Sequence, residues 1–147
     1  MSQSQAITTV LVVEDDAELA DLYVSYLEHQ YTVLTAHTGE GAIAELDGEP
    51  DVVLLDRKLP DMAGEEVVKV VNERSSESRI AMVTAVSPDF DIVEMAIDDY
   101  VVKPIGATEL IDLVRKLDRS DALDAKKLEL SSKQVKRNVL QVEKDTE

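Results

Sequence analysis

The chain has 147 residues, 44% of them hydrophobic, with no cysteine and a formal net charge of −16. That length suits one domain with a full core and is short for two, while the lack of cysteine excludes disulfides and thiolate metal sites and leaves oxygen or histidine as metal ligands. The acidity speaks against nucleic acid or an anionic membrane as a partner, no apolar run reaches the roughly 18 residues of a membrane span, and the opening MSQSQ lacks the basic and apolar parts of a secretion signal, so a cytoplasmic protein is expected.

The first strand is expected in TTVLVVED, whose apolar run ends abruptly in Glu14, Asp15 and Asp16. A helix over 17–29 follows, with Leu19, Leu22, Tyr23, Tyr26 and Leu27 at helical spacing. YTVLTA is the second strand, and Thr38-Gly39 leads into a helix over 40–46 with Ala42, Ile43 and Leu46 inward. DVVLLD, the third strand, ends in Asp56, and Gly64 precedes a helix over 65–73 with a stripe of Val67, Val68 and Val71. RIAMVTA carries Thr84 at its end, and Pro88 starts a brief helix over 89–96. DYVVKP ends in Lys103-Pro104, and Thr108 caps a last helix carrying Leu110, Leu113, Val114 and Leu117. The five strands are too uniformly apolar to be half-exposed, as in a parallel sheet covered on both faces. Their alternation with helices predicts a doubly wound α/β fold.

In such sheets the reactive site lies beyond the carboxyl ends of the strands, at the switch point of strand order. Glu14-Asp15-Asp16, Asp56, Thr84 and Lys103-Pro104 all fall on that edge. Singly, each has an ordinary explanation: acids favour helix N-termini, an aspartate after a strand is most often a cap or loop residue, threonine suits strands, and Lys-Pro marks a turn. Their joint placement on successive strand ends is what points to a site.

VVEDD, LLDRKLPDMAG, MVTA and DDYVVKP resemble the strand-end motifs of the response-regulator receiver domain (CheY-like), in order, over about residues 7–118. Pro60, Met62 and Gly64 fall where receivers carry P-x-M-x-G. The resemblance implies a flavodoxin-like five-stranded parallel sheet of order 2-1-3-4-5 within a receiver domain spanning 1–120. It implies Asp56 as phosphoacceptor and a Mg²⁺ ion held by Asp15, Asp56 and the backbone carbonyl of Lys58, with Glu14 helping through water. It makes Lys103 and Thr84 the phosphoryl-binding groups, Thr84 and Tyr100 the switch pair, and Pro104 a candidate for a cis peptide. The phosphodonor it implies is a histidine kinase. The chain is then a regulatory phosphoacceptor of a two-component phosphorelay, catalysing only its own phosphorylation and dephosphorylation.

Physical chemistry fits that assignment. Magnesium takes oxygen ligands and keeps several waters, so few protein groups suffice, and a divalent cation makes the clustered acids tolerable. Phosphoryl transfer depends on alignment and charge stabilisation, which a metal and Lys103 supply. Movement of the Thr84 hydroxyl toward a phosphoryl group opens space beneath the fifth strand into which Tyr100 turns, changing the surface of the fourth helix, fifth strand and fifth helix that controls a partner or output. That surface, or the C-terminal helix, is the expected face of a homodimer. From Thr84 to Lys103 is 19 positions, fewer than the family pattern, and the Gly-Ala that commonly closes the fourth helix is missing from EMAIDDY, so that helix is expected to be short or reoriented. Arg57 and Lys58 place two cations after the acceptor and are expected to be solvated, with Lys58 a candidate for controlling the access of water to an acyl phosphate.

The alternative is an aspartyl-phosphate phosphatase on a similar sheet, which needs a second acid two residues after the nucleophile; Lys58 stands there. A nucleotide-binding domain needs a glycine-rich first turn, where this chain has acids. His29 and His37 have the setting of surface residues. The charge excess lies in residues 1–120, and the tail over 121–147 is neutral. Within it, LDAKKLELSSKQ resembles the start of the HalX extension of haloarchaeal regulators, which fits the acidity of the rest. A helical extension is expected, with a frayed or partly disordered helix as the alternative, and no direct nucleic-acid binding by so short and neutral a segment.

Overall fold

The computed structural model describes residues 7–74, 77–89 and 95–118. Five strands, β1 Thr9–Val13, β2 Thr32–Ala36, β3 Val52–Leu55, β4 Arg79–Thr84 and β5 Asp99–Val102, form one sheet of order β2-β1-β3-β4-β5. Every neighbouring pair is parallel. This is the flavodoxin-like architecture and strand order expected from the sequence.

Successive side chains of a strand point to opposite faces, and the central strands supply apolar groups to both. Leu11, Val13, Val53, Leu55, Ile80 and Met82 pack on one face with residues of the helices α2 (Gly39–Glu45) and α3 (Gly64–Arg74). Val10, Val12, Val52, Leu54, Ala81 and Val83 pack on the other with residues of α1 (Ala17–Leu27) and α4 (Ala107–Leu117). Burying a Leu, Val or Ile side chain stabilises by about 1.5–3 kcal/mol, so two dry faces explain why the runs read as continuously hydrophobic. At the edge of the sheet the pattern thins. Four of the five β2 residues retain partial or full exposure, unlike the fully buried strand that the uniform composition suggested.

The helices refine the sequence expectations. Val67, Val68 and Val71 of α3 and Leu110, Leu113, Val114 and Leu117 of α4 are all buried. In α1 the buried stripe is Ala20, Tyr23 and Leu27, while Leu22 is largely exposed. The spacing of Leu22 suits a helix, but the stripe that meets the sheet is centred one residue away. Thr108 is not the cap of α4: the N-cap is Gly106, whose N–H donates to the Glu109 carboxylate at 3.0 Å. The helix starts earlier because Glu109 reaches back to the open donor, the Glu half of a capping box. The fourth helix expected over 89–96 falls largely on residues 90–94, and the helical extension with its HalX-like start on 121–147; both lie outside the described residues. Among the described residues no helix is long and apolar enough to cross a membrane.

Candidate functional site

The backbone ladder runs one step past three strands and fixes the residues that follow them. Glu14 N–H donates to the Ala36 carbonyl at 2.9 Å, Asp56 N–H to the Val13 carbonyl at 3.1 Å, and Lys103 N–H to the Thr84 carbonyl at 2.8 Å. Glu14, Asp56 and Lys103 therefore inherit the rigidity of the sheet at its carboxyl edge. The Lys103–Pro104 peptide is cis.

The three acids after β1 do different jobs. Asp16 is the N-cap of α1 and accepts from the Glu18 and Leu19 N–H groups, a local role that the helix N-terminus favours. Glu14 is buried, and its carboxylate accepts from the Asp16 N–H and from the Lys103 ammonium. The Asp15 carboxylate is exposed and has no hydrogen-bond partner among the described residues.

Lys103 ties this group to the third strand, since its Nζ also donates to Asp56 Oδ2 at 2.9 Å. Burial alone would pull the lysine pKa down, but the bonds to Glu14 and Asp56 more than offset that and push it up. Burial pushes the Glu14 carboxyl above the usual carboxylate range, with Lys103 and the Asp16 N–H pulling the other way. The result is a cationic lysine wedged between two carboxylates, with Asp56 also accepting from the Lys58 N–H at 3.2 Å.

One oxygen from each of Glu14, Asp15 and Asp56 lies within 4.8 Å of the others. The donor set is all oxygen, and Asp15 is uncommitted, as suits a hard cation that takes few protein ligands. The site fits magnesium.

The loop after β3 is anchored at both ends. Asp61 accepts from the Gly39 and Glu40 N–H groups at the start of α2, at 2.8 and 2.9 Å, and Met62 lies against Gly39. At the far end Gly64 N–H donates to the Arg57 carbonyl at 2.7 Å. A Cβ on Gly64 would stand 2.6 Å from the Asp56 carbonyl oxygen, so a residue without a side chain is required at this close approach.

Thr84 is fully buried, and its Oγ1 accepts from the Val86 N–H at 3.3 Å. Tyr100 is also buried, and its hydroxyl donates to the Val86 carbonyl at 2.7 Å. The hydroxyls of Thr84 and Tyr100 thus meet through one residue. Tyr100 packs inward, with the core on the α2 and α3 face of the sheet.

Arg57 is where sequence reasoning went wrong. It is not solvated but only 8% exposed, and its guanidinium donates to Tyr100, Glu65 and both oxygens of Asp89. Lys58 is exposed, as expected. The DR pair at the end of an apolar strand could have signalled this, because Arg57 continues the strand and the fork of a guanidinium can hold several acceptors at once. His37 is exposed, yet its Nδ1 donates to the Glu14 carbonyl at 2.9 Å.

A family model described as the response regulator receiver domain matches residues 10–115. A Haloferax volcanii protein named as a transcriptional regulator is 46% identical over 116 residues, covering 78% of this chain and 20% of that protein. The sensory transduction protein RegX3 of Mycobacterium tuberculosis is 43% identical over 113 residues, covering 74% of this chain and 49% of RegX3. The chain spans half or less of the length of these relatives. Among solved structures, the response regulator TrrA of Thermotoga maritima in complex with Mg²⁺ and BeF aligns with a TM-score of 0.70 and 33% identity, covering 76% of this chain and all of that one. The chemotaxis protein CheY4 of Vibrio cholerae aligns with a TM-score of 0.72 and 27% identity, covering 77% of this chain and 100% of its own.

Proposed function

The chain belongs to the response-regulator receiver family, and from that premise we propose that it is a phosphorylation-controlled switch in which Asp56 accepts a phosphoryl group from a histidine kinase. The observation that carries the proposal is the convergence of Asp56, Lys103 and the Glu14–Asp15 pair on one sheet edge. An Asp56 carboxylate oxygen attacks the phosphorus, the bond from phosphorus to the donor histidine nitrogen breaks, and the acyl phosphate that results is later hydrolysed to restore the carboxylate. Lys103 neutralises charge on the incoming group, a role supported by the bond of its ammonium to an Asp56 carboxylate oxygen. Magnesium held by Asp15, Asp56 and the Lys58 carbonyl, with Glu14 through water, would offset the repulsion between a phosphate and these acids.

The output follows from the connections around Tyr100. A phosphoryl oxygen on Asp56 accepts from the O–H of Thr84, whose oxygen accepts from the Val86 N–H, and movement of Thr84 toward the phosphoryl group is felt by Tyr100 through the Val86 carbonyl. The surface carrying β5 and α4 then presents a different face to a partner or to further domains of a longer regulator. Catalysis is confined to the chain's own phosphorylation and dephosphorylation, since no second acid stands two residues after Asp56.

The test is incubation with acetyl phosphate and Mg²⁺, followed by intact mass. The expected result is a gain of one phosphate that disappears in Asp56→Asn and on chelation. No gain with any small phosphodonor, together with turnover of a phosphate ester, would overturn the proposal.

A further inference from the structure

Three segments have to move together for such a switch to work: the acceptor segment, the loop after β4, and β5. One residue links all of them. Arg57 directly follows the acceptor, and its backbone is held by the Gly64 N–H. Its NH1 donates to the Tyr100 hydroxyl at 3.3 Å, its NH2 to the two Asp89 oxygens at 3.2 Å, and its Nε to Glu65 at 3.1 Å. Burial works against the guanidinium, but its bonds to Tyr100, Glu65 and Asp89 push its pKa further up, so it stays cationic throughout the accessible pH range. A planar fork with fixed donor directions holds its acceptors in one geometry, which a flexible ammonium does not.

Tyr100 is buried and packs inward with the core on the α2 and α3 face of the sheet. Its hydroxyl is fully used, receiving from Arg57 and donating to the Val86 carbonyl. Turning outward breaks a bond to a buried cation as well as one to the backbone, and hydrogen bonds to charged groups are the stronger kind.

We propose that Arg57 is a positioning residue that holds Tyr100 inward by bridging it to Asp89 and Glu65, and so sets the fraction of molecules ready to accept a phosphoryl group. This deepens the phosphoacceptor reading and rests on it. A ligand that binds one of two forms has its apparent affinity scaled by the fraction in that form. Weakening the bridge must therefore weaken phosphoryl binding at a site that the altered side chain does not touch.

The experiment uses the full chain with 3-fluorotyrosine at all four tyrosines, the Tyr100 signal being assigned with Tyr100→Phe. Arg57→Met removes the bridge. Asp89→Asn weakens it at a half-exposed side chain. Exposure of Tyr100 is read by fluorine NMR with a soluble nitroxide, and binding by titration with beryllofluoride and Mg²⁺. In the wild type Tyr100 is shielded; in Arg57→Met it becomes accessible and beryllofluoride binds about tenfold more weakly, with a smaller shift of the same sign in Asp89→Asn. If Arg57→Met fails to fold, Asp89→Asn decides. A Tyr100 that stays shielded in the folded variants overturns the proposal, as does an exposed Tyr100 with unchanged beryllofluoride affinity. Should the wild type bind no beryllofluoride, the phosphoacceptor reading fails, while nitroxide shielding still judges whether Arg57 holds Tyr100.

Discussion

Lys103 Nζ lies 2.9 Å from Asp56 Oδ2, and the same ammonium is bonded to Glu14, so one cation serves two carboxylates contributed by different strands. Glu14 is only 3% exposed, and removing its cation would leave a buried charge with a single backbone N–H as partner. Breaking one side of a buried pair is costly, about 3 kcal/mol at the low end. We expect Lys103→Met to lower the stability of the metal-free protein by about that much at neutral pH. The sign of the pH dependence follows from Glu14. Burial raises its folded pKa above its unfolded value, so its contribution to stability is whole below the ordinary carboxylate range and is lost as pH rises through the folded value. The variant should therefore recover toward wild type as the pH is lowered and Glu14 takes up a proton. Urea unfolding in chelator at neutral and mildly acid pH measures this; a deficit independent of pH would contradict it.

Gly64 and Gly39 both lie against neighbours, with different consequences. A Cβ on Gly64 meets the backbone, the Asp56 carbonyl oxygen at 2.6 Å and Arg57 Cα at 2.9 Å, whereas the nearest atoms to a Cβ on Gly39 belong to the Met62 side chain. Backbone cannot step aside, and overpacking costs about 1–3 kcal/mol; a methionine can change rotamer. Gly64→Ala is expected to lose that much stability and to slow phosphorylation by displacing Asp56, while Gly39→Ala loses less. Equal losses in chemical denaturation would show that the methionine is as rigid as the strand.

Much of this was legible in the sequence because the strands advertise themselves. Val10 to Val13, Val52 to Leu55 and Ile80 to Val83 are buried on both sides, so hydrophobicity alone located the core of the sheet and hence the edge where Asp56 and Lys103 sit. The acids of the first turn were legible as a group but not in their division of labour: Asp16 is a cap, Glu14 a buried partner of Lys103, and only Asp15 stands open. Nothing in linear spacing distinguishes these, since each role is set by what packs opposite. Arg57 was misjudged for a related reason. A cation beside an anion reads as solvated, and its acceptors Glu65, Asp89 and Tyr100 lie eight, 32 and 43 positions away. The start of α4 was misplaced because threonine is the commoner cap, while here Glu109 reaches back to the N–H of Gly106.

Asp61 holds the loop after β3 against α2 by accepting from the Gly39 and Glu40 N–H groups. The Gly39 and then the Glu40 N–H bonds draw its pKa below the usual carboxylate range. A depressed folded pKa means a contribution present above the unfolded value and lost as pH falls through the folded one. Asp61→Ala should therefore melt at a lower temperature than the wild type at neutral pH, with the two curves converging in acid. Thr38 still caps Gly41 in the variant, so α2 itself should persist. Thermal melts followed by circular dichroism across the acid range test this, and a gap that widens in acid would refute the bonding scheme.

Lys58 differs from its neighbour Arg57 in being exposed, with its N–H donating to Asp56 Oδ1. Its backbone is fixed, by that bond and by a bridge to Ala63, so its side chain emerges from a defined point two residues after Asp56. A long cationic chain there can lie over an acyl phosphate, attract its charge and limit the approach of water. Lys58→Ala removes the chain and leaves the backbone carbonyl, a proposed metal ligand, in place. The aspartyl phosphate should then hydrolyse several-fold faster, while uptake from acetyl phosphate changes less, because Lys103 is the cation bonded to the Asp56 carboxylate. Following the loss of the phosphorylated mass after removal of the phosphodonor measures the lifetime directly, and an unaltered lifetime would remove Lys58 from any part in the timing of the switch.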